Sequence, residues 1–158
     1  MRDVLQYFDL MLKLIEFSQA VSSQLDLEQL DYKRGTVEGA IYFADGSRLE
    51  FTERIVIDRA RPIKRQYRYQ YVRGESAVFR YDNAPHHPRL PGFPHHKHVG
   101  RKTSPALEPT LKQVLQEVSE FLPEETQSPA ATHPRRARQK SKRNPRLKQI
   151  SDSNEETH

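Results

Sequence analysis

The first eighteen residues carry apolar side chains at three- and four-residue spacing. Val4, Tyr7, Phe8, Met11, Leu12, Leu14, Ile15 and Ser18 form one stripe, and Arg2, Asp3, Gln6, Asp9, Lys13 and Glu16 are left for solvent. That period predicts an amphipathic helix over residues 3–19, packed on a sheet, with Asp3 as a candidate cap. Ser22 and Ser23 break the pattern, after which Leu25 and Leu27 alternate with polar residues and permit a short edge strand. Lys33-Arg34-Gly35 reads as a turn.

A hairpin follows. Val37, Gly39, Ile41 and Phe43 alternate with Thr36, Glu38, Ala40 and Tyr42, Asp45-Gly46 supplies the turn, and Leu49, Phe51, Glu53, Ile55 and Ile57 share one face of the returning strand. Asp-Gly tolerates the positive φ angles of tight hairpin turns. Glu53 interrupts its apolar face. An acid there is expensive to bury unless paired, so it is either a structural carboxylate or one that projects toward basic chemistry elsewhere. Residues 58–62 read as a linker around Pro62. A third strand spans 63–72, with Tyr67, Tyr69 and Tyr71 on one face in line with Arg65, and Lys64 with Arg68 on the other. A fourth strand spans 76–81. The tyrosines and arginines suit either a base-stacking platform or an ordinary sheet.

Residues 107–122 predict a second amphipathic helix, its stripe made by Leu107, Leu111, Val114, Leu115, Val118 and Leu122, with Ser104 as candidate cap and Pro123 as the stop. Beyond Pro123 periodicity ends. Residues 133–148 hold eight basic and no acidic side chains, and residues 124–158 are expected to be a disordered basic tail. The fold class is therefore α+β: an N-terminal helix, an antiparallel sheet of four or five strands and a C-terminal helix form a domain over 1–123, followed by the tail.

Charge changes the picture. The 158 residues carry a net +5, but residues 1–58 total −5 and residues 59–104 total +9. A concentrated positive segment points to a phosphate-bearing partner, with an acidic protein or self-association as other ways to neutralise it. The chain has no cysteine, which excludes disulfides and thiolate metal sites and makes the cytoplasm the expected location. No run is long and apolar enough for a membrane helix, and the N-terminus does not read as a signal peptide.

Five of the seven histidines fall at 86, 87, 95, 96 and 98 inside the positive segment, in a proline-rich loop between the fourth strand and the last helix. His133 and His158 lie in the tail. Together the hairpin GAIYFADGSRLEFTE, the strand YRYQY, the segment VFRYDNAPHH and the run PHHKH resemble the TumE-type toxins of bacterial and archaeal toxin–antitoxin systems over residues 3–122. The shared positions are Glu53, Arg80, Asp82, Asn83, His86, His87, His95, His96 and His98, with Lys97 inside the last run. The resemblance implies an inhibitor of growth neutralised by a cognate antitoxin, usually a helix-turn-helix protein.

The chemistry open to these residues is ribonucleolytic. Cleaving RNA through its 2′-hydroxyl needs a base, an acid and cations around the phosphate. His98 and His96 are the first candidates for proton transfer and His86 the next, with Arg80, Lys97 and Arg101 available to the phosphate and Glu53 as an orienting carboxylate. His96 and His98 share a face if their segment is extended. Such a site needs no cofactor. A divalent metal, zinc or magnesium or manganese, is the alternative, held by Asp82, His86, His87, His96 and His98. A module that binds nucleic acid or protein without catalysis is the third reading.

Overall fold

The computed structural model describes residues 1–123; the basic stretch 133–148 and the tail expected beyond Pro123 lie outside the described residues. Helix α1 (Val4–Glu16) is followed by seven strands, β1 (Ala20–Gln29), β2 (Arg34–Phe43), β3 (Arg48–Asp58), β4 (Arg61–Arg73), β5 (Ser76–Asp82), β6 (His96–Val99) and β7 (Lys102–Pro105), and then by helix α2 (Leu111–Ser119). The strands form one antiparallel sheet in the order β1-β2-β3-β4-β5-β6-β7, so each lies beside its neighbours in sequence. The α+β expectation holds, with more strands than the four or five expected.

Both helices cover the same face of the sheet. Val4, Tyr7, Phe8, Met11 and Ile15 of α1 and Leu111, Val114 and Val118 of α2 share one core with Val37, Ile41, Leu49, Phe51, Ile55, Tyr69, Tyr71 and Phe79. Period-two alternation then sends the intervening residues to a face that carries no helix among the described residues. Asp3 caps α1 as expected, accepting from the Gln6 N–H at 2.9 Å. Gly35 belongs to β2 rather than to a turn, and a Cβ there would stand 2.7 Å from Phe8 and 2.8 Å from Val4. The missing side chain is what lets the first turns of α1 lie against the sheet.

The Asp45-Gly46 turn forms as read. Gly46 has φ 80°, and the Asp45 carboxylate accepts from the Ser47 N–H at 3.0 Å and from its hydroxyl at 2.5 Å. The expected linker at 58–62 does not exist. Arg59 and Ala60, with φ 45° and 63°, make a two-residue turn, and Pro62 pairs with Ile57 near the start of β4. Near that end of the strand the lost N–H is tolerated.

A bulge in β4 overturns a second expectation. The register jumps between Arg54/Gln66 and Ile55/Lys64, leaving Arg65 as the extra residue. One extra residue reverses which face the strand presents. Lys64 therefore turns into the core with the tyrosines, and Arg65 turns out to solvent. Asn83 secures the bulge by accepting from the Tyr67 N–H at 2.9 Å and donating to the Arg65 carbonyl at 3.2 Å. Tyr67, Tyr69 and Tyr71 are all buried. They are core residues and offer no platform to bases.

Lys64 and Glu53 meet in the core. Glu53 is 1% exposed and accepts from Tyr7 Oη at 2.5 Å and from the Tyr69 hydroxyl. Lys64 Nζ lies 3.8 Å from the Glu53 carboxylate and donates to Tyr69 Oη at 2.8 Å and to the Pro109 carbonyl. Burial first, and then the Glu53 charge, drives the Tyr7 and Tyr69 hydroxyls far above their ordinary range, so both remain neutral donors. The cluster ties α1, β3, β4 and the segment before α2 together.

That segment explains the later start of α2. Pro109 biases Glu108 away from helical geometry, and Thr110 rather than Ser104 is the cap, in a reciprocal box with Gln113. Leu107, expected in the apolar stripe, is 90% exposed. Ser104 lies in β7. Glu53→Ala leaves the Lys64 ammonium without its counter-charge, and urea unfolding should show a loss of roughly 3–5 kcal/mol. Glu53→Gln combined with Lys64→Met should recover most of it.

Candidate functional site

The histidine segment is not the open loop expected. Residues 83–95 are loop, containing a cis Phe93–Pro94 bond, but His96–Val99 and Lys102–Pro105 form a hairpin about Gly100 that extends the sheet. Its register fixes the site. Asp82 pairs with His96 and Arg80 with His98, while on the other side of β5 Asp82 pairs with Arg68 and Arg80 with Gln70. Directly opposed residues share a face. Arg68, Gln70, Arg80, Asp82, His96 and His98 therefore stand together on the helix-free face.

The loop returns His86 and His87 to this group. Ligand atoms of His86, His87, His96 and His98 all lie within 4.8 Å of one another. His96 Nε2 is 3.1 Å from His86 Nε2 and 3.0 Å from Asp82 Oδ1. His98 Nε2 is 3.6 Å from Asp82 Oδ2. Asp82 is anchored by the Arg80 guanidinium, which donates at 2.8 Å, and by the Ala84 N–H at 3.1 Å.

Each β6 imidazole is fixed from behind. His96 Nδ1 donates to the Pro94 carbonyl at 2.8 Å, and His98 Nδ1 lies 3.0 Å from Thr103 Oγ1. A carbonyl can only accept, so the His96 proton sits on Nδ1 and a neutral His96 presents a lone pair to the cluster. His98 Nε2 is buried and has no hydrogen-bond partner among the described residues. Burial, and then the Arg80 charge, push the His98 imidazole down to about 4 against the pull of Asp82. His96 is 1% exposed, whereas His86 lies in the open. The arrangement is a recessed pair of rings on a strand, with two outer rings on a loop.

Other candidate residues lie elsewhere. Glu53 is on the helix-covered face and does not project toward the histidines. Lys97 alternates away from His96 and His98, donates to Glu117 of α2 at 2.5 Å and stands over the Tyr81 and Phe79 rings at 4.8 and 5.1 Å. His95 stacks on Tyr67, with Nδ1 3.1 Å from its hydroxyl, outside the four-ring cluster. Arg101 is exposed in the β6–β7 turn. Thr103 was not among the candidates. Its signal was Gly100, which at the centre of HKHVGRKT marks a hairpin turn and sets Thr103 opposite His98. Because Thr110 rather than Ser104 caps α2, β7 and an extended segment separate the histidines from the α2 N-terminus in the chain.

Toward β1 the helix-free face holds a depression of about 470 Å³ lined by Gln24, Asp26, Glu38, Glu50, Thr52 and Arg68. Asp26, Glu38 and Glu50 stand on that half, with Arg48 against Glu50 at 2.8 Å, and Arg80 and the four-ring cluster stand toward β5–β6.

Residues 11–127 match the family model described as Toxin TumE. The chain belongs to the TumE toxin family. No curated protein and no solved structure matches it. As a TumE toxin it is the toxin component of a toxin–antitoxin system, and its partner is an antitoxin. No helix among the described residues is long and apolar enough to cross a membrane. The opposed faces of the β5–β6 pair separate two substitutions in this TumE chain. Lys97→Ala removes a largely buried, charge-assisted hydrogen bond and should lower stability by about 1.5–3 kcal/mol yet keep growth inhibition at matched protein levels, while Arg80→Ala, which frees Asp82, should abolish it in a plating assay.

Proposed function

We propose that this TumE toxin inhibits growth by cleaving RNA on the helix-free face of its sheet, where the four-histidine cluster meets Asp82 and Arg80. The observation that carries the reading is the gathering of four imidazoles, two of them against the buried Asp82 carboxylate beside a guanidinium, within the segment whose net charge is +9. Imidazoles move protons near neutral pH, and Arg80 is positioned to share its remaining donors with a phosphate.

In the reaction the 2′ oxygen gives its proton to a base held by the cluster and forms a bond to phosphorus. The bond from phosphorus to the 5′ oxygen breaks, and that oxygen takes a proton from a second group. The products are a cyclic phosphate and a free 5′-hydroxyl. His86 and His87, at the outer edge, are the rings a substrate meets first; His96 and His98 lie behind them. The base is an imidazole of this cluster. The reading carries with it a helix-turn-helix antitoxin that neutralises the toxin by covering this positive face.

The test is incubation of the purified full-length protein with a mixed RNA pool. Cleavage is expected to fall by about 10²–10⁴ in folded His98→Ala, and the same sequences made with 2′-deoxyribose should stay intact. Folded wild-type protein that cuts no RNA, or a His98→Ala protein that cuts at the wild-type rate, would overturn the reading. Retained RNA binding with a steep salt dependence and no cleavage would make the protein a binding module.

A further inference from the structure

We infer that His86, His96, His98 and Asp82, with His87 as the fourth imidazole, form a binding site for one divalent transition-metal ion of the zinc, nickel or cobalt kind. The argument begins at His96. Its Nδ1–H is committed to the Pro94 carbonyl, so its Nε2 and the Asp82 Oδ1 atom, 3.0 Å apart, are two acceptors aimed at each other. His86 Nε2 approaches the same nitrogen at 3.1 Å. Something positive belongs between them.

A proton on His96 Nε2 answers only part of this. It satisfies Asp82 and leaves His98 Nε2 buried and unpartnered. Nor does it account for four rings whose ligand atoms share a space 4.8 Å across. A metal ion accounts for all of them at once. With ligand bonds of about 2.0–2.1 Å, neighbouring nitrogens of a tetrahedral site lie about 3.3–3.5 Å apart, close to the His86–His96 separation. Asp82 supplies negative charge, and its oxygens face both recessed rings.

The surroundings have the form that metal-ligating histidines take. A ring that binds through Nε2 is oriented by a partner on Nδ1, usually a carbonyl, carboxylate or water. His96 has the Pro94 carbonyl, and His98 has the Thr103 hydroxyl. The bound carboxylate is in turn held by Arg80 and the Ala84 N–H. Asp82, His96 and His98 stand on paired strands and His86 and His87 on a loop, so the recessed part is rigid and the outer part can admit the ion. Imidazole and carboxylate without thiolate suit zinc, nickel and cobalt, whereas magnesium prefers an all-oxygen set. Only the role of the ion rests on the proposed RNA cleavage, where metal-bound hydroxide would replace the imidazole as base; its binding does not.

The experiment uses full-length protein stripped with chelator, dialysed against zinc, nickel or cobalt and assayed for bound metal, with the visible spectrum of the cobalt form as a second readout. Roughly one ion per chain is expected, together with a raised melting temperature. His98→Gln and His86→Ala should each weaken binding by at least about tenfold. His86 is exposed, so its variant remains folded even where His98→Gln is not. A chain with His133→Ala and His158→Ala should bind as the wild type does. Folded protein that takes up no ion, or uptake unchanged in His86→Ala and His98→Gln, would overturn the inference. Chelator-resistant RNA cleavage by metal-free protein would overturn the role of the ion while leaving RNA cleavage in place. Stoichiometric metal without RNA cleavage would overturn the cleavage reading, and the ion's role in it, while leaving the metal site in place.

Discussion

The pairing of β5 with β6 governs the position of every strand-borne group in the site. Three backbone pairs hold His96 against Asp82, Lys97 against Tyr81 and His98 against Arg80. Because successive side chains alternate, this register sends two histidines to one face and the lysine between them to the other. A slip of one residue would put Lys97 beside Asp82 and bury two imidazoles among Tyr81, Phe79 and α2. The register is held from both sides, by the Lys97–Glu117 pair under the sheet and the Asp82–His96 contact above it.

The sheet thus separates two kinds of polar burial. On the covered face, Glu53, Tyr7, Tyr69 and Lys64 satisfy one another, and the carboxylate has donors for both oxygens. On the open face, the polar groups of β5 and β6 are less completely matched, and His98 Nε2 is left over. Buried polar groups in native proteins are normally paired. A closed network reads as architecture, and a network with one member unmatched reads as a place prepared for something else.

Much of this was legible in the sequence. The stripe of α1, the Asp45-Gly46 hairpin and the odd position of Glu53 follow from residue spacing, and the five clustered histidines announce the site. Period-two reasoning even places His96 and His98 together. It failed where a single residue changes the count. The extra residue at Arg65 exchanged the faces of Lys64 and Arg65, and no local propensity marks such a bulge; its fastening, Asn83, lies on the next strand. HKHVGRKTSP has too few apolar residues to read as strands, because β6 and β7 are made by pairing with β5 rather than by their own hydrophobic pattern. The start of α2 was misread because Leu107 continues the helical period that Pro109 forbids.

The strand order also has a consequence for how the molecule comes into being. Each strand pairs with the one made just before it, so loop closure is short at every step but the 83–95 loop before β6, and the sheet can grow in the direction of synthesis. The site belongs to the last three strands. While β1 to β5 emerge, Asp82 and Arg80 have no histidines opposite them, and the cluster is closed only when Thr103 has been added behind His98. A nascent chain therefore remains chemically incomplete until nearly the whole described fold exists.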